Sequence, residues 1–333
     1  MDLDTEAVDA AIAEGDFSGV VTVDVGDRRV FARAVGFAHR AHGIPNTPTT
    51  RFALASGGKG FTALAVLRLV EEGRLALDDR VRPILGDDLP LIDDAVTIEH
   101  LLTHTSGIGD YLDESGDLDI SDYILSVPVH TLTTAQAFLP VLDGFPQVSP
   151  PGERVAYNNG AFVVLALVVE RLAGEPFPEF VEREVVARAG LAHTGFLRAD
   201  DLPADAALGY LDAEGNRTNV LHLPVRGNGD GGIYSTPDDL HAFWRALLGG
   251  RILSPSMVAE LIRPRVDDED EDARIGLGLY LHATGPAHYL EGYDAGVSFR
   301  STHDPATGTT ATVIGNTSEG AWPVIAALAP LFD

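Results

Sequence analysis

The chain has 333 residues, 45% of them hydrophobic, with a mean hydropathy of +0.08, which suits a soluble globular protein with a full core. Its 50 acidic residues face 23 basic ones, and the net charge of -27 argues against nucleic acid or anionic membrane as partners. Cysteine is absent, which excludes disulfide, iron–sulfur and thiol chemistry. Residues 5–14 read as a short helix. Residues 19–25 and 29–36 run apolar or alternate around Gly26-Asp27 and predict a β-hairpin. A polar, proline-containing loop (43–50) follows. From Ser56 onward Phe61, Leu64, Ala65, Leu67, Leu69 and Val70 keep a helical period that stops at Gly73, so Ser56 stands at or near a helix N-terminus. Residues 97–102 form a short helix with Thr97 as N-cap. Helices are expected at 133–139 and 160–172, with a Pro150-Pro151-Gly152 turn between them. Further helices are expected at 176–188, at 236–248 before Gly249-Gly250, and at 254–262. Strands return at 276–283, 297–302 and 309–316, and a last helix covers 322–331.

Strands thus gather at both ends of the chain and helices fill the middle. That predicts an α+β fold with one antiparallel sheet built from both termini, helices packed on it, and a helical insertion. The acidic run 267–272 reads as a solvated loop. The apolar run 161–169 is far too short to span a membrane. Met1-Asp2-Leu3-Asp4 is acidic and leads into no cationic or apolar leader, so a cytoplasmic protein is expected.

Lys59 is the only lysine; the other 22 basic residues are arginine. Arginine stays protonated in proteins, whereas a buried lysine can lose its proton. The retained lysine therefore marks a place where a removable proton is needed. Ser56 precedes it by three residues, which puts both side chains on one helix face. A serine beside an amine that can deprotonate is the arrangement of an activated nucleophile. The helix N-terminus adds a partial positive charge and free N–H groups for an oxyanion, and Gly57-Gly58 would let substrate approach the backbone. A second cluster, Tyr157-Asn158-Asn159, stands between the Pro-Pro-Gly turn and an apolar helix. Its tyrosine can relay protons, and Asn159 can hold both an amine and a carbonyl. His100 and His104 are four apart beside Glu99, but zinc would need a third ligand that the sequence does not supply. No Gly-x-Ser-x-Gly elbow and no phosphate or dinucleotide glycine fingerprint occurs.

Taken together, several segments resemble the serine β-lactamase and penicillin-binding-protein-like hydrolases, most of all the class C β-lactamase and family VIII carboxylesterase branch. They are Phe52 to Ala63 around the Ser-x-x-Lys, Leu101-Leu102-Thr103-His104-Thr105-Ser106-Gly107, Tyr157-Asn158-Asn159, Gly231-Gly232-Ile233-Tyr234-Ser235-Thr236 with Asp239-Leu240, and Gly296-Val297-Ser298. The resemblance covers most of the chain and keeps order and spacing. It implies a β-lactamase/transpeptidase-like fold with a discontinuous sheet domain (1–85 and 210–333), a mainly helical domain (86–209), and an active site between them. It implies that Ser56 is acylated, that Lys59 is its base, and that Tyr157 carries the proton for the leaving group and for deacylation. The oxyanion hole would be the N–H groups of Ser56 and of a residue on an edge strand. No metal or cofactor is implied.

The chain departs from the family at the third motif. Where relatives carry Lys or His, any residue, then Gly, it has Leu290-Glu291-Gly292. Gly292 keeps the close backbone approach, and Tyr293 N–H becomes the expected second oxyanion donor. Leu290 replaces the cation, so a carboxylate-bearing substrate forfeits a charge-assisted bond of ~1.5–3 kcal/mol; His288 would supply the cation only in a register shifted by two. The expected substrates are therefore small esters with a neutral or apolar acyl group. An amide or peptide substrate is the alternative, either D-aminopeptidase-like with Glu291 pairing a substrate amine or β-lactamase-like, the latter disfavoured by the lost cation, and a silent binding scaffold is the rival of another class. Oligomeric state is open at this stage.

Overall fold

The computed structural model describes residues 3–114, 120–269 and 272–333. Eight antiparallel strands form one sheet: β1 (Gly19–Val25), β2 (Arg28–Val35), β3 (Val266–Asp268), β4 (Ala273–Ile275), β5 (Tyr280–His282), β6 (His288–Asp294), β7 (Val297–Asp304) and β8 (Thr309–Gly315). Their order is β2-β1-β8-β7-β6-β5-β4-β3, so the two ends of the chain meet at β1 and β8. The α+β expectation with an antiparallel sheet from both termini is met.

Both faces of the sheet centre are covered, because successive side chains of a strand point to opposite sides. Val20 and its register partner Ile314 pack with Phe299 into the larger core, toward the central helices. Val21 and Val23 with Val313 and Ala311 face the other way, against the terminal helices α1 (Thr5–Glu14) and α5 (Trp322–Leu328). Each such buried valine contributes roughly 1.5–3 kcal/mol of apolar transfer.

Two helices are buried almost all round, which a one-sided apolar stripe could not support. They are α2 (Lys59–Glu71) and α3 (Asn159–Ala173), and they pack on each other. Asn158 caps α3 by accepting from Ala161 N–H at 2.6 Å, and Gly174 ends it at φ 74°. The amphipathic α4 (Pro237–Leu248), capped by Thr236, lies against β1 and β8.

Several boundaries differ from the sequence reading. Ser56 does stand next to the N-terminus of α2, but in a 3-10 turn, Ala55–Gly58, that leads into it. Residues 133–139 give a 3-10 turn Ala135–Phe138 and a single α turn Leu139–Leu142, with Pro140 near its start. Residues 176–188 carry a π turn, Glu182–Val186, between two short α segments. The acidic run is corrected too: Asp267 and Asp268 belong to edge strand β3 and Asp268 is buried, while Asp270 and Glu271 lie outside the described residues. So do Met1 and Asp2, on which the reading of the N-terminus rested. Among the described residues no helix is long and apolar enough to cross a membrane.

Candidate active site

Ser56 sits where the chain turns abruptly. Ala55 before it is held at φ 44°, a left-handed conformation uncommon for a non-glycine residue and typical of functional sites. Gly57 and Gly58 are needed for packing. A Cβ on Gly57 would lie 2.4 Å from the Phe299 ring, and one on Gly58 would lie 3.0 Å from Gly231 Cα. The turn is thus wedged between β7 and the loop before Tyr234.

Two side chains converge on the serine. Lys59 Nζ lies 2.9 Å from Ser56 Oγ, 2.8 Å from Asn159 Oδ1 and 2.8 Å from the Asp230 carbonyl. The Tyr157 hydroxyl lies 2.7 Å from the same Oγ. Both Asn159 Oδ1 and a peptide carbonyl can only accept. An uncharged amine gives its two hydrogens to them and turns its lone pair to Ser56 Oγ, as proton abstraction requires.

Electrostatics favour that state. Lys59 is 5% exposed, and burial lowers its pKa below the ordinary 10.5, opposed by the carboxylates of Asp230, Glu114, Asp110 and Asp294. Burial raises Tyr157 well above 10, so the phenol stays protonated and is a donor in the resting site. Tyr157 is held by a His104 ring stacked at 4.7 Å. His104 Nδ1 accepts from Asn158 N–H at 3.0 Å, and burial, with Lys59 nearby, drops its pKa to about 3. His100 instead accepts the Thr97 N–H in a capping box. Both histidines therefore serve the backbone.

Asn159 stands at the start of α3, with its Nδ2 donating to Leu112 O at 3.1 Å and Glu114 Oε1 at 2.7 Å. Asp110 accepts the Asn159 and Gly160 N–H groups at 2.6 and 2.9 Å, where the helix dipole favours an anion, yet burial raises it to about 6. Asp110, Tyr111, Glu114, Asp230 and Asp294 were missed from sequence. The one local signal was an acid set among glycines, as in Gly229-Asp230-Gly231-Gly232.

The third motif lies against the serine turn. β5 pairs only with His288 and Tyr289, so residues 290–294 are locally an edge, as expected. A Cβ on Gly292 would lie 2.1 Å from Leu54 O and 2.9 Å from Ser56 N, so only glycine fits and the following Tyr293 backbone adjoins Ser56. The side chains are corrected. Leu290 is 3% exposed and packs over Gly60, a core contact as much as a cleft wall. Glu291 lines the smaller cleft with Ser56 but is paired with Arg300, so it would meet a substrate amine only in competition with that guanidinium. His288 is buried, has a lowered pKa and lines neither cleft at the serine, so it is not the missing cation.

Two clefts open at Ser56. The larger spans about 900 Å³, part of it open to solvent, and is lined by Tyr111, Glu114, Asn159, Asn228, Asp230 and Asp294, with apolar walls from Leu125, Leu197 and Val225. The smaller, about 350 Å³, is bounded by Tyr157, Leu279, Tyr280, Tyr289 and Leu290.

A family model described as Beta-lactamase matches residues 5–329. The chain is 31% identical to the esterase EstB of Burkholderia gladioli over 77% of this chain and 72% of EstB. It is 27% identical to penicillin-binding protein 4* of Bacillus subtilis over 80% of this chain, and it spans only 60% of that protein's length. Among solved structures it is similar to a penicillin binding protein from Bacillus halodurans, with a TM-score of 0.90 and 40% identity over 98% of this chain and 100% of that one.

Proposed function

The chain belongs to the beta-lactamase family, and we propose that it is a serine hydrolase that cleaves small esters whose acyl group carries no carboxylate, neutral and apolar acyl groups included. In this reading Lys59 takes the Ser56 proton and Oγ attacks the ester carbonyl. The oxyanion receives the N–H groups of Ser56 and Tyr293. As the tetrahedral intermediate collapses, Tyr157 gives its hydroxyl proton to the departing alkoxide and is reprotonated from the Lys59 ammonium. Water then enters, loses a proton to the same pair, and attacks the acyl carbon, which frees the acid and restores Ser56.

One observation carries the reading: Ser56 Oγ lies 2.9 Å from an amine whose other two bonds go to pure acceptors, and 2.7 Å from a buried phenol. The substrate class is supported by the larger cleft, which has no lysine or arginine among its described lining residues to meet a carboxylate. Similarity to an esterase points the same way.

The test is turnover of nitrophenyl acetate and butyrate against a chromogenic cephalosporin. Ester turnover is expected to dominate, with a mass gain from a fluorophosphonate that Ser56→Ala abolishes. Faster cephalosporin turnover overturns the substrate class, and no labelling of Ser56 overturns the acyl-enzyme.

A further inference from the structure

The larger cleft carries an unbalanced charge. Glu114, Asp230 and Asp294 line it together with Ser56. Glu114 accepts from Asn159 Nδ2 at 2.7 Å, Asp230 from the Tyr111 hydroxyl, and Asp294 from Ala295 N–H at 3.0 Å, all uncharged donors. Burial, with Glu114 and Asp230 adding to it, lifts Asp294 to about 7. Three carboxylates crowd one space, and the nearby cation, Lys59, is the one that the chemistry needs uncharged.

Asn228 in the same lining points independently to a ligand. It is 3% exposed, and its backbone is bonded to Gly231 in both directions, at 2.8 and 3.2 Å. Its side-chain Nδ2 and Oδ1 both lack a hydrogen-bond partner among the described residues. A buried amide left unmade costs about 1–3 kcal/mol, so one that borders a cleft is a group waiting for a partner. His222 Nδ1, also in this lining, lacks a partner among the described residues too.

We propose that this cleft receives the acyl part of the substrate and that this part bears a protonated amine, donating to Asn228 Oδ1 and balanced by Asp294 and its neighbouring carboxylates. An ammonium has three donors and no acceptor, which matches acceptors offered without a cation. Asn228 Nδ2 supplies a donor to an oxygen of the same acyl group, and Leu125, Leu197 and Val225 cover its apolar remainder. A carboxylate in the same place meets three acids and, among the described lining residues, no arginine to balance it. This assignment of the acyl side rests on Ser56 being the acylated nucleophile.

The experiment is calorimetric binding of 2-phenylethylamine, 2-phenylethanol and 3-phenylpropionate to the intact chain at neutral pH, with nitrophenyl acetate hydrolysis measured separately. The amine is expected to bind roughly tenfold tighter than the alcohol, the worth of one partly screened charge-assisted bond, and the carboxylate weakest. Asp294→Asn should bring amine and alcohol within threefold of each other, and Asn228→Leu should weaken both. Equal binding of amine and alcohol by the intact chain overturns the proposal, whatever the variants do. An amine preference that survives Asp294→Asn removes that residue as its source and overturns the assignment. Ester hydrolysis without amine preference sinks this inference alone. Amine preference without ester hydrolysis sinks the hydrolase reading and leaves the amine site standing.

Discussion

The two ends of helix α2 each bury a charge-bearing group, and they treat it in opposite ways. Near its C-terminal end Arg68 reaches Glu184, a buried carboxylate in the π turn, at 3.2 Å. Arg188 meets the same group at 2.8 Å and Arg183 completes the cage. Burial alone would raise Glu184, but the guanidinium groups, Arg188 foremost, hold it below the ordinary 4.5. At the N-terminal end Lys59 is just as buried, yet each atom it touches belongs to an uncharged group. Its pKa falls where the acid is held charged. Permanent cations fix an ion for structure, while neutral acceptors leave a proton free to move. This explains why arginine can fill every other basic position but not 59.

The sharpest way to break this comparison is Lys59→Arg. It should lower kcat/KM for a nitrophenyl ester by about 10³–10⁴, with the uncharged Lys59→Met equally poor. Near wild-type kinetics in the arginine variant would end the proton-acceptor role. Next, Tyr157→Phe should cost about 10²–10³ in kcat while KM changes little, since the phenol acts on the departing group. A pH–rate profile sharpens the electrostatic half. The rate should climb as Lys59 loses its proton, with a midpoint below 10.5. Asp230→Asn removes a carboxylate that favours the charged amine, so its midpoint should move to lower pH; a shift upward contradicts the assignment. The smallest effect is expected at the other end of the helix. Glu184→Gln should lower stability by roughly 2 kcal/mol at neutral pH and leave kcat untouched. Glu184 is depressed in the fold, so its contribution is complete above 4.5 and is lost as pH falls through the folded value. Denaturation curves of the two proteins should therefore converge in acid; a gap that persists there would mean that packing, not charge, holds the cage.

Local features were legible and assembled ones were not. Ser56 and Lys59 could be paired because three residues on one turn need no knowledge of the fold. Tyr157 is 101 residues away, and only the resemblance tied it to the serine. The strands β3 and β4 escaped notice because three residues hold too little alternation to register, and β6 is broken in pattern by Gly292. At 290 and 291 the residue types suggested cleft contacts, and both residues do line the smaller cleft; what the sequence could not show is that Leu290 also fills the room Gly60 leaves and that Arg300 on the neighbouring strand pairs with Glu291.

By itself the sequence determined that this protein has a single lysine one turn after a serine, and that its two ends supply strands to one antiparallel sheet. Those properties follow from residue chemistry and short-range periodicity. Tertiary structure alone decided which acids face that base. Asp110, Glu114, Asp230 and Asp294 come from three separate stretches of chain, and whether a carboxylate meets arginine, a phenol or an empty cleft depends on packing between segments that no local pattern encodes.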